Sequence, residues 1–163
     1  MAGRPSRGQE ALPVIRDDRG HPPSPGFWPQ MTLVVDASVV ASAVIRRDSR
    51  GQWAESILEH GEIVAPQFVL VEVANTLRNL VLTRSITEQE GARAHLRLLG
   101  LPIALLPYDS VALRVWDLRY NVTPYDPLYV ALAEDLHCDL ATLDGNLTRS
   151  PGPRCRFLTP PDV

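Results

Sequence analysis

The chain contains no lysine. All sixteen of its cations are arginine, so any contact with phosphate would be made by planar, bidentate guanidinium groups rather than compact ammonium charges. There is no excess of positive charge either: nineteen Asp and Glu leave a formal net charge of -3. That balance excludes a protein that coats nucleic acid by bulk charge, and leaves only local recognition of such a ligand. Cysteine is scarce. Cys138 and Cys155 have neither the number nor the spacing of a disulfide framework or a zinc site, and read as small hydrophobes in a reducing compartment. His21, His60, His95 and His137 are scattered, with no pair at metal-ligand spacing. No apolar run approaches the roughly 18 residues that span a bilayer, and residues 1–30 carry no signal-peptide h-region. A membrane role is not expected.

What is present suits one globular domain. A chain of 163 residues, 45% hydrophobic and 21% charged, can bury one ordinary core but not two comfortable ones. Residues 1–30 are rich in Pro, Gly and Arg, include P-P-S-P-G at 22–26, and lack apolar periodicity, so they cannot offset the entropy of ordering. They are expected to be a flexible extension ahead of a domain at 31–163. Because a strand begins cleanly at Met31, the extension is also readable as a gene-start artefact, with Met31 the initiator.

The rest alternates short apolar strands with helices of ten or so residues. Thr32–Val35 is a β-branched, aliphatic run that ends at Asp36, followed by Ala37 and by Ser38, a hydroxyl able to cap a helix from Val39 to Arg46. Helical spacing continues from Ser49 to about Glu59, with Gly61 as a stop. Glu62–Ala65 reads as a second strand, and Pro66 as the first turn of a helix to about Leu82. Thr87 and Glu90 form a capping box for a helix ending near Leu99. Ile103–Leu106 is a third strand, then a helix capped by Asp109 or Ser110 to about Tyr120, a helix from Asp126 to His137, a fourth strand over Asp139–Leu143, and a possible fifth over Arg156–Leu158. Such alternation predicts a parallel sheet of four to five strands covered on both faces, and near-purely apolar strands are what a doubly buried sheet requires.

Four acids stand out. Asp36 and Asp144 each follow an apolar strand, at the edge where open α/β sheets bind ligands. Glu72 lies inside the apolar run F-V-L-V-E-V-A-N, on one helix face with Phe68, Asn75 and Asn79. Asp126 precedes Pro127 at a helix start. Taken singly, each has a plainer role as a helix cap, a turn residue or a solvated boundary residue. Gathered at one edge they would repel one another, and a hard divalent cation is the natural compensation. Oxygen ligands without His or Cys favour Mg²⁺ or Mn²⁺ over zinc, and phosphate-ester hydrolysis is the chemistry such a site suits.

V-V-D-A-S at 34–38, V-E-V-A-N-T-L-R at 71–78, Y-D-P-L-Y-V-A-L-A-E at 125–134 and L-A-T-L-D-G-N-L at 140–147, in that order and spacing, resemble the PIN domain of VapC-type toxins over residues 31–160. The resemblance implies a three-layer α/β/α PIN-like domain with a central parallel sheet. It also implies a Mg²⁺- or Mn²⁺-dependent endoribonuclease that leaves a 5′-phosphate and a 3′-hydroxyl. Asp36, Glu72, Asp126 and Asp144 match the family's acidic quartet of catalytic metal ligands, with Ser38 and Asn75 as polar neighbours, Ser38 either orienting the first ligand or simply capping the helix. A VapB-type antitoxin, homodimerisation and cytoplasmic action on an RNA substrate are implied as well. The chain departs from the pattern in its 1–30 extension and in Pro127, where Ala is more usual.

Candidate RNA contacts are Arg46, Arg47, Arg50, Arg149, Arg154 and Arg156, while Trp53 and Trp116 are expected to pack in the core. Two classes of rival, a phosphotransfer protein and a non-catalytic module, are weaker. An Asp-nucleophile phosphatase needs a second Asp where this chain has Ser38, and a receiver domain needs a lysine. A non-catalytic RNA- or protein-binding module of the same fold would have no need to keep four mutually unfavourable acids.

Overall fold

The computed structural model describes residues 32–45, 48–59, 61–120 and 126–161; the expectations for residues 1–30 and for Arg46 and Arg47 lie outside them. Five strands, β1 (Thr32–Val35), β2 (Glu62–Pro66), β3 (Ile103–Leu106), β4 (Asp139–Ala141) and β5 (Phe157–Leu158), form one sheet in the order β3-β2-β1-β4-β5. Every pairing is parallel. The chain builds outward from β1 through β2 to β3, then returns to lay β4 against the other side of β1. The order therefore reverses between β1 and β4, and their carboxyl ends open the crevice that such a switch point creates.

Val34, Val35, Val64, Ala65, Leu140 and Ala141 are fully buried, as strands covered on both faces must be. The helices are α1 (Ala37–Ile45), α2 (Ser49–Leu58), α3 (Val69–Leu82), α4 (Glu88–Leu99), α5 (Ala112–Asp117), α6 (Asp126–Asp135) and α7 (Gly145–Arg149). α1, α3 and α4 pack together, whereas α6 packs with α5 and lies against β1, β2 and β4. This is the three-layer α/β/α arrangement expected of right-handed crossovers. Among the described residues, no helix is long and apolar enough to cross a membrane.

Local chemistry explains where the elements differ from expectation. Pro66 ends β2 rather than starting a helix: it pairs with Leu106, and the Gln67 N–H donates to Leu106 O at 2.8 Å. β1 pairs with β2 only as far as Val64, so at Pro66 the ladder is one-sided and the missing N–H is tolerated. The helix expected from Asp109 or Ser110 begins later, at Ala112. The Ser110 hydroxyl donates back to Pro107 O at 2.7 Å, closing a 3₁₀ turn over Tyr108–Ser110 instead of capping forward. Trp116 is not a core residue. It is 66% exposed, with Arg119 stacked 4.9 Å from its ring centre, whereas Trp53 packs against the core as expected. The Thr87–Glu90 capping box is formed, with the Thr87 N–H donating to Glu90 Oε2 at 2.8 Å.

Candidate active site

Asp36 leaves β1 with its backbone N–H still bonded to Ala141 O of β4 at 3.2 Å. Its carboxylate is nearly enclosed, at 5% exposure, and fully hydrogen-bonded. Oδ1 accepts from the Val39 N–H at 3.0 Å and from the Ser38 hydroxyl at 2.5 Å, while Oδ2 accepts from the Thr142 hydroxyl at 2.5 Å. Asp36 therefore caps α1 itself. Ser38, expected either to cap the helix or to orient the carboxylate, lies inside the helix and does the second, accepting in turn from the Leu143 N–H at 2.9 Å. Thr142 accepts from the Asp144 N–H at 2.9 Å. Two hydroxyls thus stitch the turn after β1 to the turn after β4.

Burial drives the Asp36 carboxyl up from the ordinary 3.8 to about 6, even though Ser38, Thr142 and Val39 all stabilise its charge; the negative charge of Asp126 adds to the rise. Glu72, half-buried in the first turn of α3, is also pushed up by burial, opposed by a hydrogen bond from Tyr129 and reinforced by Asp126. Asp126, the first residue of α6, is thus close enough for its charge to bear on both other acids. Asp36, Glu72 and Asp126 form one electrostatic cluster at the carboxyl edge of the sheet.

Asp144 and Asn75 stand apart. The Asp144 carboxylate accepts from the Asn146 N–H at 2.7 Å and caps α7, joining the cluster through its backbone bond to Thr142. Asn75 is exposed on α3. The side chain that meets Glu72 is Tyr129, whose Oη donates to Oε2 at 2.8 Å.

Tyr129 and Thr142 are the site residues that sequence reasoning passed over. Tyr129 is 1% exposed, and burial, then the charge and hydrogen bond of Glu72, hold its hydroxyl far above the ordinary phenol range, so it remains a donor. The available signal was chemical: a tyrosine at i+3 from Asp126 in an otherwise apolar helix, and a threonine ending a strand, both need partners for their hydroxyls once buried. Of the arginines, Arg156 is committed to Asp139 and Arg149 contacts Asn146 Oδ1 at 3.1 Å; Arg50 is exposed.

The PIN domain family matches residues 33–152 of this sequence. Ribonuclease VapC1 of Mycobacterium tuberculosis is 37% identical over 128 residues, covering 76% of this chain and 94% of that protein. The chain is a PIN domain of the VapC type. VapC ribonuclease Mb0985 of Mycobacterium bovis is 32% identical over 129 residues, covering 79% and 98% of the two chains. The fold of this PIN domain is similar to that in the crystal structure of VapBC2 from Rickettsia felis bound to a promoter DNA fragment, with a TM-score of 0.58 at 14% identity over 79% of this chain and 98% of that one.

Whether this PIN domain suits a metal follows from its donors. Among the described residues no three His, Cys, Asp or Glu side chains converge as a ready-made cage. The acidic cluster instead offers carboxylate oxygens alone, one of them buried beside like charge. That fits a hard ion such as Mg²⁺, which keeps several waters and takes one or two carboxylates plus substrate phosphate rather than an all-protein shell.

Proposed function

We propose that this chain is a Mg²⁺- or Mn²⁺-dependent endoribonuclease, acting in the cytoplasm as a homodimer and as the toxin of a pair with a VapB-type antitoxin. The observation that carries the reading is the enclosed Asp36 carboxylate at the switch point, held beside Asp126 and Glu72 in spite of their mutual repulsion. A fold maintained for stability alone has no use for that arrangement. The relatives' names, Ribonuclease VapC1 and VapC ribonuclease Mb0985, support RNA as the substrate. The likeness to VapBC2 supports the antitoxin.

Asp36 and Asp126 would be the principal metal ligands, with Glu72 completing or orienting the set. A bound ion would supply a Lewis acid for the phosphoryl oxygens and lower the pKa of a water. The residues do the rest. Ser38, Val39 and Thr142 lock the Asp36 carboxylate in place, so no reorganisation is needed as charge builds. Glu72, its Oε2 held by the Tyr129 hydroxyl, takes the proton of the attacking water. The water oxygen bonds to phosphorus, the bond from phosphorus to the 3′ oxygen breaks, and that oxygen picks up a proton from solvent. The products are a 5′-phosphate and a 3′-hydroxyl. Asp144, committed to capping α7, has the peripheral role of the four.

The test is cleavage of total RNA by the antitoxin-free protein with Mg²⁺ or Mn²⁺, beside EDTA and Asp36→Asn. Cuts that require the metal and vanish in the variant are expected. Cleavage that survives both treatments would overturn the acidic-site mechanism, and a protein that cleaves nothing across a broad RNA pool would overturn the nuclease assignment.

A further inference from the structure

We propose that Tyr129 is the positioning residue of this site, its hydroxyl setting the Glu72 carboxylate relative to Asp36 and Asp126. This rests on the nuclease reading above and adds to it a residue outside the acidic quartet. Tyr129 lies three residues after Asp126, so both project from neighbouring positions of the same α6 face. The Tyr129 ring is buried to 1% exposure, and its Oη reaches Glu72 Oε2 on α3 at 2.8 Å. The backbone of Ala37, the residue next to Asp36, lies near enough to the same hydroxyl to favour its ionised form, against the larger effect of burial. One phenol, carried by the first turn of α6, therefore bonds the first turn of α3 and lies beside the head of α1, the three segments that carry the clustered acids.

Packing alone does not account for it. Phenylalanine would fill the same space without burying a hydroxyl, and a buried hydroxyl is costly unless it is bonded. Among the described residues, Tyr129 is also the one side chain that donates to Glu72. That single donor occupies Oε2 and leaves Oε1 for the site. Partners that orient metal-ligating groups in this way are commonly worth 10- to 100-fold in metal affinity or activity.

The experiment is a double-mutant cycle of Tyr129→Phe and Glu72→Ala in the full chain, read in Mn²⁺ affinity by titration calorimetry, with single-variant RNA cleavage kinetics and metal-free melting curves alongside. Tyr129→Phe is expected to weaken Mn²⁺ binding about 10-fold and to lower kcat about 10- to 100-fold, with KM for RNA changed by less than about 2-fold. In the Glu72→Ala background the second substitution should cost nothing further in affinity, because its route of action is gone. Equal losses in both backgrounds, or a raised KM at unchanged kcat, would overturn the proposal. A Tyr129→Phe protein that matches a working wild type overturns it alone, whereas a wild type that neither binds Mn²⁺ nor cleaves RNA overturns the nuclease reading together with it.

Discussion

Thr142 Oγ1 lies 2.5 Å from Asp36 Oδ2, across 106 positions of sequence, and the same oxygen accepts from the Asp144 N–H. A side chain with no chemistry of its own thus satisfies a buried carboxylate and fixes the turn after β4. Thr142→Val keeps the shape but removes the hydroxyl, leaving the carboxylate short of a donor and the Asp144 N–H short of an acceptor. A loss of about 1–3 kcal/mol is expected in urea unfolding at pH 8, and a smaller one at pH 5, where Asp36 is more often protonated.

Asp36 itself costs the metal-free protein stability. Its carboxyl rises from 3.8 to about 6 on folding. The contribution it makes is therefore fully present below its unfolded value and is lost as pH rises through about 6. The difference corresponds to about 3 kcal/mol at most. Asp36→Asn, which cannot ionise, should be about 1–3 kcal/mol more stable than the wild type at pH 8 in EDTA, with the gap closing toward pH 4. Thermal melts across that range check it.

Divalent cations should reverse this penalty. A cation that binds the ionised cluster stabilises the folded state by mass action and competes with protons for the same oxygens. Millimolar Mg²⁺ or Mn²⁺ should raise Tm clearly at pH 8, little at pH 5, and least in Asp36→Asn. Scanning calorimetry of the two proteins at both pH values decides it.

Away from the site, Glu134 ties α6 to its neighbours. It accepts from Arg114 Nε at 2.6 Å and Nη2 at 3.2 Å, and from the Arg154 N–H at 2.6 Å. Burial alone would raise its carboxyl, but the Arg114 and Arg154 hydrogen bonds and charges hold it below the ordinary value. Its contribution is present above the unfolded value and lost as pH falls through the folded one. Glu134→Ala should cost about 1–2 kcal/mol at pH 7, after allowance for solvent screening, and much less at pH 3. Urea midpoints at the two pH values measure the difference.

Much of the frame was legible from letters. Ile103–Leu106 is a strand with the expected bounds, and α2, α3 and α4 end within a residue of expectation, because apolar period and capping residues act locally. The acids could be named, but not their partners. Ser38 as cap or orienter, Pro66 as strand end or helix start, and Tyr129 as packing or donor are each decided by a residue far along the chain: Leu143, Leu106 and Glu72 respectively. Local pattern is silent on such pairs. Trp116 shows the converse, since a large aromatic on a short helix can lie outside when a neighbouring arginine covers it.

The bond between Asp36 and Thr142 also has a temporal meaning. β1 is translated early and β4 late, and the carboxylate lacks its second-side donor until the chain between them has been made. At roughly 5–20 residues per second, those 106 residues take about 5–20 s of synthesis. A chain still on the ribosome therefore lacks the assembled site on which its proposed activity depends, and is released before that site can act.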